Sequence, residues 1–153
     1  MTRLTRALAA GVVTLLLLPG AISSQAQGQL NPKAVEFTKP GDIKFVRNAA
    51  GTQETAVLFG DPEKPGPYVV RLRWLPGNMS RPHFHPNDRF FAVIEGWLGS
   101  GDKFDPESTV PVPAGTYVIH HAKEVHYDGA KKEPVVIQVW GMGPATSTNA
   151  EKK

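Results

Sequence analysis

The sequence predicts an all-β fold closed into a single barrel or sandwich, and three observations lead there. The chain carries 15 glycines and 14 prolines among 153 residues, the two residue types that break helices and build turns. Between residues 42 and 145, short β-type runs alternate with turn signals. Beyond residue 26 no window holds a helical apolar period over twelve residues. Closely spaced strands without helical partners must bury their apolar faces against one another.

The first element lies outside that fold. Arg3 and Arg6 begin the chain, residues 7–18 are apolar, Pro19-Gly20 breaks the run, and Ser24 and Ala26 are small. This is the pattern of a secretory signal over residues 1–26, cleaved after Ala26. The apolar run is shorter than the ~20 residues that span a bilayer. The protein is therefore expected in the periplasm or outside the cell, free of the membrane after cleavage. Losing Arg3 and Arg6 and no acid lowers the formal net charge from +3 by two, to +1. No basic stripe remains to suggest a nucleic-acid partner. The chain has no cysteine, so burial rather than disulfides must hold the core.

Residues 27–41 are polar and turn-rich and read as an N-terminal arm. Residues 42–145 form the domain, with candidate strands at 43–47, 55–59, 68–74, 89–94, 116–119 and 135–140. Gly60-Asp61-Pro62, Pro76-Gly77-Asn78, Gly99-Ser100-Gly101-Asp102 and Pro113-Ala114-Gly115 are among the breaks. Residues 146–153 are polar and read as a flexible C-terminal tail.

All five histidines fall between residues 83 and 126. In a strand, His83 and His85 point to one face, which suits two adjacent corners of a metal coordination sphere. His120 and His121 are neighbours, so a strand turns only one of them inward; His121 is the candidate for a supporting or proton-transfer role. Gln138 lies among apolar residues, and an inward amide there would orient a ligand. Trp74, Trp97, Trp140, Phe90 and Phe91 read as core and barrel-end residues. Arg71 and Arg73 alternate with Val70 and Leu72 and read as a solvated face.

Gly77, His83-x-His85, position 89 and Gly96 reproduce the spacing of the first cupin motif, and the segment from His121 to His126 occupies the place of the second. The sequence thus resembles the cupins over residues 67–144. Gly101-Asp102-Lys103-Phe104-Asp105, Pro113-Ala114-Gly115 and Gly141-Met142-Gly143-Pro144 look like those of a group of small single-domain bacterial cupins. The resemblance implies a jelly-roll-type barrel in which His126 joins His83 and His85 around a divalent metal ion. Zinc, iron, manganese, nickel and copper all accept imidazole ligands, and the sequence does not choose among them. It also implies a homodimer, the common cupin assembly.

Two positions depart from the motifs. Arg89 stands where cupins usually carry a metal-binding glutamate, and His121 stands where the second motif usually has proline. Arginine cannot ligate a cation. Three readings of Arg89 remain open: it pairs with Asp88, it receives an anionic substrate, or it marks a cupin that has lost its metal. Asp88 is itself a candidate ligand, although strand parity places 89 rather than 88 on the histidine face. The function expected is a metal-dependent enzyme acting on a small acidic molecule, with no catalytic residue assigned. The alternatives are a periplasmic metal- or ligand-binding module without turnover and a metal-free structural cupin.

Overall fold

A computed structural model describes residue 28 and residues 30–151; the segment 1–26, expected to be a secretory signal, lies outside them. Eleven strands follow one another: β1 (Val46–Arg47), β2 (Gln53–Phe59), β3 (Gly66–Trp74), β4 (His83–Phe84), β5 (Arg89–Val93), β6 (Gly96–Ser100), β7 (Val110–Val112), β8 (Tyr117–His120), β9 (His126–Gly129), β10 (Val135–Gly143) and β11 (Thr148–Asn149). They form a six-stranded sheet in the order β1-β2-β3-β10-β5-β8 and a five-stranded sheet in the order β11-β4-β9-β6-β7. Every neighbouring pair is antiparallel. This is the all-β architecture that the turn density predicts.

Alternation decides which face is buried. Along β10, Val135, Ile137 and Val139 are buried while Val136, Gln138 and Trp140 are less so. Tyr68, Val70 and Trp74 of β3 and Phe91 and Val93 of β5 present the same inward face. Burying each such aliphatic side chain is worth about 1.5–3 kcal/mol. Strand β10 pairs along its whole length with β3 and over five residues with β5, so the centre of this sheet is the rigid wall behind the site.

The five-stranded sheet is built differently. Its strands are short, β6 and β9 carry glycine, and close backbone approach at Gly129 takes the place of apolar alternation. The chain between β3 and β4 crosses β9 at Gly129, where Met79 makes an isolated bridge. A Cβ at position 129 would meet the Asn78 carbonyl oxygen and would lie 2.5 Å from Met79 Cα. Both are backbone atoms, so a side chain here forces the crossing segment away. Gly129→Ala is expected to lower unfolding free energy by about 1–3 kcal/mol, as overpacking does; denaturant titration of the two proteins measures it.

The C-terminal segment differs from its expected fraying. Thr148 and Asn149 pair with Phe84 and His83. Ala150 N–H donates to Pro82 O at 2.9 Å, and Arg81 meets Glu151 at 2.5 Å. Strand β4 would otherwise be an exposed edge, and the polar tail satisfies its backbone groups. At the other end, the compact unit begins at Thr38. The preceding segment, taken by itself, holds a turn in which Asn31 O accepts from the backbone N–H of Ala34 and Val35.

Candidate metal centre

His83 and His126 are directly opposed register partners on β4 and β9, and His85 follows β4 by one residue. The two motifs therefore meet in space. One ring nitrogen from each of the three histidines lies within 4.8 Å of the others. Ring centroids are 4.8 Å apart for His83 and His85, 4.6 Å for His83 and His126, and 5.3 Å for His85 and His126.

The backbone fixes the tautomer of each ring. Nδ1 of His83 lies 2.7 Å from Arg81 O, Nδ1 of His85 2.8 Å from Thr146 O, and Nδ1 of His126 3.0 Å from Glu124 O. A carbonyl only accepts, so each Nδ1 carries the proton and donates it. That leaves Nε2 of all three rings as the acceptor nitrogen, the arrangement that orients imidazoles as metal ligands. His126 Nε2 is buried with no hydrogen-bond partner, a cost that a bound cation would remove. The donor set fits a divalent ion: three neutral nitrogens, oriented and partly dried. His83, His85 and His126 are the residues that would hold it, and a bound ion would supply Lewis-acid activation of a ligand oxygen.

Burial keeps His85, His126 and the adjacent His120 neutral. It lowers His85 to about 3, with the Arg89 charge adding to the shift, and lowers His126 to about 4, with His83 adding. His120 falls to about 2, again by burial first and then by His126. Folded values below the unfolded value of about 6.5 mean that the unfolded chain takes up protons first. The stability these groups contribute is present above pH ~6.5 and is lost as pH falls through about 4 and then about 3. The midpoint of thermal unfolding of metal-free protein is therefore expected to drop steadily from pH 6.5 to pH 4. A midpoint flat over that range would contradict neutral buried imidazoles.

Arg89 does not pair with Asp88. It begins β5, opposite His120 on β8, and its Nη1 donates to His85 Nε2. Its Nε is buried without a partner, as is the Tyr68 hydroxyl. Burial raises the Tyr68 phenol, and the neighbouring Arg89 charge partly opposes that. The guanidinium thus holds the lone pair that His85 would give to a metal.

The other expected site residues separate. Asp88 Oδ1 accepts from the Ala122 N–H at 2.7 Å and lies 4.0 Å from His121 Nδ1, with both side chains largely exposed. Asp88, a candidate ligand that strand parity disfavoured, is held by Ala122 and His121 at the surface and does not join the three histidines. His121 is a surface residue; the inward imidazole is His120, whose ring stacks on His126 with centroids 3.6 Å apart. Gln138 does not turn inward. Its Oε1 accepts from Arg71 Nε and Nη2 at 3.1 and 3.0 Å, across the strand pair and on the face opposite Ile137 and Val139.

One residue of the site was not singled out in the sequence. Asp128 is buried and lines the same 480 Å³ cavity as His83, His85, Arg89, Tyr68 and Trp74. Burial raises its carboxyl; Arg89 and His83 oppose this, as do the Ser80 hydroxyl and the Trp74 N–H, the latter outside strict hydrogen-bond geometry. The signal was the spacing from His126, since alternate strand residues share a face.

No protein-family model matches the sequence, and no curated protein matches it. Solved structures do. The polyketide cyclase RemF of Streptomyces resistomycificus superposes with a TM-score of 0.61 at 18% identity, covering 78% of this chain and 87% of its own. A conserved protein with a double-stranded β-helix domain from Klebsiella pneumoniae has a TM-score of 0.53 at 26% identity, over 70% of this chain and 91% of its own. A cupin-2 domain protein of Rhodospirillum rubrum has a TM-score of 0.55 at 14% identity, over 74% and 78%. With its two antiparallel sheets and these structural neighbours, the chain has the double-stranded β-helix fold of the cupins.

Proposed function

We propose that this protein is an exported metal-dependent enzyme acting on a small acidic organic molecule. The three histidines hold the ion and Arg89 receives the substrate carboxylate. One observation carries the reading: three imidazoles with fixed tautomers converge, and two of them, His83 and His85, line a 480 Å³ cavity with a partly unpartnered guanidinium. Guanidinium binds carboxylate in a planar fork. A carboxylate arriving there offers Arg89 a better acceptor than an imidazole nitrogen and frees His85 Nε2. The RemF neighbour is a cyclase, which shows an enzyme on this fold, but fold alone does not set the reaction.

The second reading is ligand binding without turnover. The Arg89–His85 hydrogen bond favours it, because that bond competes with the metal. A screen of small organic acids with zinc-, iron-, manganese-, nickel- and copper-loaded protein, under air and under nitrogen, separates the two. Metal-dependent consumption of an acid, lost in His85→Ala, supports the enzyme. Saturable binding without consumption supports the second reading, and no binding of any acid overturns both. Export belongs to the same proposal: protein from the cell envelope is expected to begin at Gln27 by mass spectrometry.

A further inference from the structure

The cavity is lined by two polar groups of opposite chemistry. One is Arg89, donating to His85. The other is Asp128, whose backbone is clamped: its N–H donates to Ser80 Oγ at 3.0 Å and its carbonyl accepts from Ser80 N–H at 2.8 Å. Arg89 and Asp128 act on each other electrostatically, yet they line the cavity without forming an ion pair.

A carboxyl group offers up to four acceptor positions. The neighbouring donors within the chain are the Trp74 N–H and the Ser80 hydroxyl. Acceptor positions left unfilled on a buried carboxyl are costly, so Asp128 asks a ligand for a further hydrogen-bond donor. Arg89 asks for a carboxylate. A hydroxyl and an ammonium both donate, and the surroundings choose between them. Arg89 offsets the Asp128 charge, and a divalent ion on the three histidines would leave the cavity net positive, which would disfavour an added ammonium and leave a hydroxyl unaffected.

We infer that the ligand is a hydroxy acid, with its carboxylate on Arg89 and its hydroxyl donated to Asp128. This rests on the acidic-substrate reading and narrows it. Asp128 is then a specificity-determining residue, and the cavity rejects the deoxy acid because Asp128 is left without its donor.

Three acids on one skeleton test this by calorimetry on the purified protein, zinc-loaded and metal-free: malate with a hydroxyl, succinate with hydrogen, and aspartate with an ammonium. Malate is expected to bind at least about tenfold tighter than either, the worth of one hydrogen bond to a charged group. Asp128→Leu should reduce malate to the level of succinate while leaving succinate unchanged. Asp128→Asn, whose amide oxygen still accepts, should keep most of the preference. Methoxysuccinate, which has no hydroxyl proton, should bind no better than succinate, and this control needs no folded variant. Equal binding of malate and succinate, tighter binding of aspartate, or a preference that persists in Asp128→Leu overturns the inference. The underlying reading fails separately, if Arg89→Gln leaves the binding of all three acids unchanged.

Discussion

Arg89→Glu is expected to raise the affinity for a divalent metal by about a hundredfold or more and to weaken binding of small dicarboxylates by at least about tenfold. The substitution ends the donation from Nη1 to His85 Nε2 and places a carboxylate beside three imidazoles. A two-unit charge change against a divalent ion, ~5 Å away at an effective dielectric of ~20, is worth at most about 13 kcal/mol. Desolvating the new carboxylate consumes much of that, which leaves the smaller gain stated. The anion loses its fork and meets a like charge instead. Calorimetry of metal and of succinate on both proteins reads the two effects together. A variant that changes neither affinity would mean that the guanidinium plays no part in the site.

The second large effect is expected from removing a ligand. Structural zinc sites with four ligands bind with about 10–16 kcal/mol, so one nitrogen is worth roughly 3 kcal/mol and its loss about two orders of magnitude in affinity. His126→Ala should cost at least that, because its ring also carries the stack with His120 and the hydrogen bond to Glu124 O. His121→Ala should cost nothing measurable, since that ring lies at the surface beside Asp88. Deleting residues 146–153 should fall between the two. It removes β11 and the Thr146 carbonyl that fixes the His85 ring, and losses of such supporting bonds cost about 10–100-fold. Competition with a chromogenic chelator ranks the four proteins. A deletion without effect would remove the tail from the account of the site.

The six strands given bounds from the sequence are the six strands of one sheet; of the other sheet only the strands carrying His83 and His126 were expected, through the histidine motifs and without bounds. The reason is physical. Strands such as β3 and β10 carry a buried face of alternating valine, isoleucine and aromatic residues, and alternation is legible. The second sheet uses His83-Phe84, Gly96–Ser100, Val110-Pro111-Val112, His126–Gly129 and Thr148-Asn149. These are short, polar or glycine-bearing segments whose pairing is set by crossing chains and by the site they carry. The same sheet supplies His83, His126 and Asp128. The three histidines were legible through motif spacing, not through strand pattern. Asp128 was not, because its two-residue spacing from His126 becomes a signal only once that segment is known to be a strand. Gln138 misled because apolar neighbours on one face say nothing about where the opposite face looks; Arg71 across the strand pair holds its amide outside.

The central claim is that His83, His85 and His126 form a metal centre. Its most direct test is the metal content, by elemental mass spectrometry, of protein purified without a histidine tag and dialysed against chelator-treated buffer, compared with the His83→Ala/His85→Ala/His126→Ala variant. The account predicts close to one equivalent of a transition metal per chain in the natural protein after loading, and none in the variant. Substoichiometric metal that survives unchanged in the variant, or a natural protein that takes up none, would contradict it.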